Sequence, residues 1–149
     1  MAGIEIKGIQ LISDRFRTVV DDCPNLRRQL HNKIADVIKQ EVDASIARSV
    51  NDASGHVRSW QVRVVGSGGG YAAVRPISVD TGRNSPGAIT GYIERGHRIR
   101  PSNPKRKPRI KVAYVNGRWF YRSAKSSAQA KAVKIAEDFA ADLATRIEG

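Results

Sequence analysis

One cysteine, Cys23, stands in the 149-residue chain, so no internal disulfide can form, and no Cys/His spacing of the kind that holds zinc occurs. Cys23 reads as a partly buried small hydrophobe beside a helix start. No run approaches the roughly 18 apolar residues of a membrane span. The opening MAGIEIKGIQ also lacks the basic region, apolar core and small-residue cleavage site of a signal peptide, so use from the cytoplasm, with no membrane partner, is expected. Acids are scarce in the middle of the chain: Asp80 and Glu94 are the only carboxylates between Arg75 and Lys134, whereas a magnesium-dependent nuclease needs several that converge. His31, His56 and His97 are far apart, His31 reads as a solvated residue on a helix, and neither an HExxH motif nor a Gly-x-Ser-x-Gly elbow occurs. These absences point away from an enzyme. No catalytic residue, metal ligand or cofactor is expected.

What is present describes a folded, soluble, strongly basic single domain spanning residues 1–149: 40% hydrophobic and 27% charged residues, with a formal net charge of +12. The charge is uneven. Residues 1–74 hold 10 basic and 8 acidic side chains, whereas residues 75–149 hold 16 and 6, so the second half carries most of the excess. It peaks in Gly91–Lys111, GYIERGHRIRPSNPKRKPRIK, where Arg98, Arg100, Lys105, Arg106, Lys107, Arg109 and Lys111 lie within 14 positions. Like charges at this density repel, and Pro101, Pro104 and Pro108 exclude a helix, so the sequence predicts an extended loop that only a partner can order. Glu94, at its root, reads as a counter-charge to Arg95, Arg98 or a partner's arginine.

Along the chain, Ile9, Ile12, Phe16, Val19 and Val20 predict a short amphipathic helix that ends at Cys23–Pro24, where proline opens a second one. Leu26, Leu30, Ile34, Val37, Ile38, Val42 and Ile46 then form an apolar stripe that predicts a long helix to about Ser49. From Val57 the period changes to two, with Trp60, Val62 and Val64 on one face of a strand. The tract Gly66, Gly68, Gly69 and Gly70 lacks the Lys-Ser or Lys-Thr of a phosphate loop and leads into strand-like Tyr71, Ala73 and Val74, so it reads as a hairpin connection. Pro76 marks that strand as an edge. Residues 80–88 read as a loop and Ile89, Tyr92 and Ile93 as a further strand. Ile110, Val112 and Tyr114 lead to Asn116–Gly117, the dipeptide of a type I′ hairpin, with Arg118–Tyr121 returning. Ala128, Ala132, Ile135, Phe139, Leu143 and Ile147 predict a closing helix capped by Ser126 or Ser127. The expected fold is α+β: an antiparallel sheet of four to five strands, the long helix and the closing helix packed on one of its faces, and a basic hairpin loop projecting.

The order of three segments carries a resemblance. Gly55–Trp60 (GHVRSW) before a strand, Gly91–Arg98 (GYIERGHR) before a basic loop, and Val115–Tyr121 (VNGRWFY) before an alanine-rich helix together resemble the neck and tail-completion proteins of long-tailed double-stranded DNA phages. The resemblance covers most of the chain. It implies a structural virion protein, assembled in the bacterial cytoplasm, that forms a ring, commonly hexameric, at the head–tail junction around the DNA channel. The implied partners are further copies of the chain, the adjoining neck and tail-tube proteins and, transiently, DNA. Candidate subunit-interface residues are Tyr92, Glu94, Arg95 and His97 before the loop and Arg118, Trp119 and Tyr121 after it. A second reading of the same residues is a nucleic-acid-binding module that uses the 98–111 loop with Tyr114, Trp119 and Tyr121 as a stacking platform.

Overall fold

The structure, a computed structural model, describes residues 7–99 and 113–148. Its elements run α1 (Lys7–Ser49), α2 (His56–Trp60), β1 (Gln61–Val65), β2 (Ala72–Pro76), α3 (Pro86–Arg95), β3 (Gly96–Arg98), β4 (Tyr114–Asn116) and α4 (Phe120–Glu148). The fold mixes helix and sheet, as the sequence predicts, but helix dominates. In place of one sheet of four to five strands there are two antiparallel pairs among the described residues, β1 with β2 and β3 with β4.

Helix α1 is 43 residues long with Pro24 inside it, where the sequence predicts two helices. Proline removes a backbone donor and crowds the preceding turn, at a cost of about 3 kcal/mol in a helix interior. Here α4 lies antiparallel along α1 and holds both sides of the interruption. Before it, Arg15 Nη1 donates to the Glu148 carbonyl (3.1 Å); after it, Leu26 and Leu30 lie with Phe139 and Leu143. Lys131 of α4 also pairs with Glu41 of α1. Packing outweighs the local break. Cys23 is consequently exposed on a continuous helix rather than half-buried at a helix start.

Strand β1 starts at Gln61, later than predicted, because His56–Trp60 closes one helical turn first. Asp52 explains that turn: its carboxylate accepts from the amides of Val57 (3.1 Å) and Arg58 (3.0 Å), and Arg58 Nε stands 3.5 Å from it. Burial pushes the Asp52 carboxyl up, but those amides and the Arg58 charge outweigh it and hold it below its ordinary value. A carboxylate with a depressed folded-state pKa stabilises the fold above the ordinary aspartate range, and this contribution is lost as the pH falls through the folded value. Asp52→Asn is therefore expected to melt at a lower temperature than wild type at neutral pH, and the gap should close on acidification below the aspartate range. Thermal melts followed by circular dichroism across that window check it.

The β1–β2 hairpin pairs Gln61 with Pro76 through Val65 with Ala72. Its glycine-rich connection rests on α1, where Arg27 and Arg28 donate to the carbonyls of Gly68 (2.7 Å) and Ser67 (3.0 Å). Gly69, at φ +64°, leaves room for little more than hydrogen, since a Cβ there would sit 3.1 Å from the Arg28 Cα. The tract thus serves a tight turn packed against a helix.

Residues Ile89–Ile93, predicted as strand, lie in α3. Ser85 caps it by accepting from the Ala88 amide (3.2 Å), Pro86 fills its first turn, and Gly96 ends it at φ +81°. The predicted Asn116–Gly117 hairpin does not form either: β4 pairs backwards with β3, Gly96 opposite Asn116 and Arg98 opposite Tyr114. The residues after Gly117 instead satisfy the carbonyls at the end of α3, with the Arg118 amide on Ile93 O (2.7 Å) and the Trp119 amide on Glu94 O (3.0 Å). The closing helix starts at Phe120, so Ser126 and Ser127 lie within it rather than capping it.

The core gathers where these elements meet. Val42, Ile46, Val57, Phe120 and Ala124 form its buried centre, ringed by Ile38, Val50, Trp60, Val74, Ile93 and Tyr121. A polar bridge crosses it. Gln61, almost wholly buried, donates to Val57 O (2.9 Å) and Thr90 Oγ1 (3.2 Å) and accepts from the Tyr121 hydroxyl, tying β1 to α2, α3 and α4. No buried side-chain polar atom among the described residues is left without a partner.

Candidate functional site: a basic edge around β3 and β4

The described residues on either side of the basic stretch meet in one place. Arg98 closes β3, the Ile99 amide reaches the Ala113 carbonyl (3.2 Å), and the chain resumes at β4, so both ends of the loop are clamped in one antiparallel ladder. The loop positions Arg100, Lys105, Arg106, Lys107, Arg109 and Lys111 lie outside the described residues.

Glu94 makes that ladder part of the body. Its carboxylate accepts from the amides of Tyr121 (3.0 Å) and Arg122 (3.3 Å), in the first turn of α4. A negative charge there meets unpaired amides and the positive end of the helix dipole. Neither Arg95 nor Arg98 forms the expected ion pair with Glu94 among the described residues; its oxygens accept from backbone amides, because the Arg118–Trp119 linker brings α4 onto the end of α3. Trp119, the residue before α4, is held at φ +53°, the only positive-φ residue other than glycine among the described residues. Such a conformation costs about 1–2 kcal/mol, which the two linker hydrogen bonds and the Glu94 cap offset.

Tyr92, on the last turns of α3, and His97, on β3, lean together with ring centroids 5.2 Å apart at 46°. Arg95 is exposed and its carbonyl accepts from the Tyr114 hydroxyl (3.0 Å). Arg118 joins Tyr92, Ile93, His97 and Val115 around a shallow hollow of about 180 Å³. Trp119 is 44% exposed, with the Arg122 guanidinium 5.9 Å from its ring centre. Tyr121 lies apart from these. It is half-buried against Phe120, its hydroxyl engaged by Gln61, and burial first, then the charge of Glu94, holds its phenol well above the usual range. Of the aromatic trio read as a stacking platform, Tyr114 and Trp119 are exposed and Tyr121 is turned into the core.

Two residues that the sequence reading passed over complete the edge. Arg83 and Asn84, in the loop before α3, line a cleft of about 520 Å³ with Tyr92, His97 and Arg98. An open apolar groove of about 480 Å³ runs between Ile38 and Val42 of α1, Val74 of β2, and Ala124, Ala128 and Ala132 of α4. Among the described residues no three His, Cys, Asp or Glu side chains gather as a metal site would require, and no helix is long and apolar enough to cross a membrane.

Comparison with family models, with curated proteins and with solved structures finds no match to this chain.

Proposed function

We propose that the chain is a structural virion protein of a long-tailed double-stranded DNA phage. In this reading copies of it form a ring, expected to be hexameric, at the head–tail junction around the DNA channel. The observation that carries this reading is how the ERGHR segment is used. Its glutamate holds α3, the β3–β4 ladder and α4 together, while the described residues on either side of the basic stretch pair with each other in that ladder. A firmly held base flanking a basic stretch suits a subunit whose charges meet a neighbouring copy or an adjoining ring, with charge supplying orientation and on-rate. The order GHVRSW, GYIERGHR, VNGRWFY and alanine-rich helix, similar to that of neck and tail-completion proteins, supports the same role. So does the open apolar groove beside α4, since obligate assemblies rely on apolar contact more than transient ones do.

The loop provides the test. Replacing Lys105, Arg106 and Lys107 with serine is expected to yield filled heads and separate tails that fail to join, as counted by electron microscopy of lysates. Joined particles at the wild-type frequency would refute the role given to the loop. A nucleic-acid-binding module is the competing reading, favoured by the cleft at Arg83 and Arg98. A chain that stays monomeric in light scattering, binds DNA with a steep salt dependence and is missing from particles would establish it in place of the ring.

A further inference from the structure

We infer that the cleft formed by Arg83, Asn84, Tyr92, His97 and Arg98 is a binding site for the phosphodiester backbone of double-stranded DNA. It is assembled from three separate pieces of chain, the loop before α3, α3 itself and β3, and its volume of about 520 Å³ is ample for a phosphate and its sugar. Among the described residues no carboxylate lines it. Of the two acids nearest in sequence, Asp80 accepts from the Gly82 amide (3.2 Å) and Glu94 caps α4. The ion pairs among the described residues join Lys39 to Asp43, Arg58 to Asp52, Arg63 to Asp36 and Lys131 to Glu41, so neither Arg83 nor Arg98 is in one.

Two arginines line it, Arg83 and Arg98, and a guanidinium is a planar fork of donors that matches the geometry of phosphate oxygens. The Asn84 amide adds a further donor, and the Tyr92–His97 pair supplies a firm aromatic wall that a sugar can cover. A concave surface lined by cations concentrates their field, so a polyanion is drawn to it ahead of a single charge. The more apolar hollow around Val115 and Ile93 lies next to this cleft and shares Tyr92 and His97 with it, which separates a polar anion site from the kind of surface a protein partner covers. The anion site stands on the cleft itself, whereas the choice of duplex DNA as its occupant rests on the ring reading.

The test is fluorescence anisotropy of the full chain with a labelled DNA duplex of about 20 base pairs, repeated over a range of salt concentrations. Arg83→Ala with Arg98→Ala is expected to weaken binding about tenfold or more and to reduce the slope of log affinity against log salt by about 1.8, the release expected for two phosphate contacts. Asn84→Asp, a change at an exposed loop residue with no core contact, is expected to weaken binding with an unchanged melting temperature, which separates the effect from misfolding. An unchanged affinity and slope in the double variant, or an unaffected Asn84→Asp chain, would overturn the inference. So would displacement of the duplex by polyglutamate at equal charge concentration, because the cleft would then recognise acidic protein as readily as DNA. Since joining is scored on particles and this affinity on purified protein, either result stands without the other.

Discussion

Phe120→Ala is expected to lower the unfolding free energy by about 4 kcal/mol, the usual range for removing a buried phenylalanine being about 3–5 kcal/mol. Phe120 is wholly buried and stands at the first position of α4, where it fills the space between Val42 and Ile46 of α1 and Val57 of α2. Its ring tilts against that of Tyr121 with centroids 4.6 Å apart. Alanine would leave a cavity in the buried centre of the core, and partial relaxation around such a cavity recovers only part of the loss. A total stability of about 5–15 kcal/mol makes this a large fraction of the whole. Urea denaturation followed by circular dichroism reads it as a lower midpoint at an unchanged slope. Val133→Ala, on the same helix but 51% exposed, should stay within about 0.5 kcal/mol of wild type. A Phe120→Ala loss below about 1 kcal/mol would mean that the core does not centre on this residue.

Glu94→Ala is expected to cost about 2 kcal/mol, as befits a charged cap serving two amides. The amides of Tyr121 and Arg122 lose their acceptor, and the end of α3 loses its polar contact with α4. Glu94→Gln, which keeps one acceptor oxygen without the charge, should recover part of the loss. A second readout distinguishes this cap from a general packing effect. The charge of Glu94 contributes to holding the Tyr121 phenol up, so either substitution should let that phenol ionise at lower pH, seen as tyrosinate absorbance in an alkaline titration. An unmoved Tyr121 titration together with wild-type stability would mean that Glu94 does not act on the start of α4.

These two residues show what the sequence made legible and what it did not. The apolar stripe from Leu26 to Ile46 and the closing alanine-rich helix declared themselves through their period, and the glycine tract declared the β1–β2 turn. Helix α3 was missed although its punctuation was present: Ser85, Pro86 and Gly96 are a cap, a first-turn proline and a helix-ending glycine, but Ile89, Tyr92 and Ile93 are too few to separate a period of two from 3.6. Asn116–Gly117 misled for a related reason. Its turn preference is local, whereas the pairing of β4 with β3 and the docking of Arg118 and Trp119 amides on α3 are long-range and outweigh it. Pro24 is the same conflict inside a helix, settled by α4 lying along both sides of the interruption. At the candidate site, Tyr92, His97, Arg98 and Arg118 are adjacent in sequence to the basic loop and were found from it. Arg83 and Asn84 were not, since only the fold brings their loop beside β3. The second role of Glu94, as a cap for a helix that begins 26 residues later, had no signal in the spacing.

The proposal that this chain is a ring subunit of the head–tail junction meets its most direct test in cryo-electron microscopy of assembled particles. A ring of this chain between head and tail is expected, with the β3–β4 edge and the basic stretch against a neighbouring copy or the adjoining ring. Infectious particles that lack the chain, or hold it anywhere other than the junction, would contradict it.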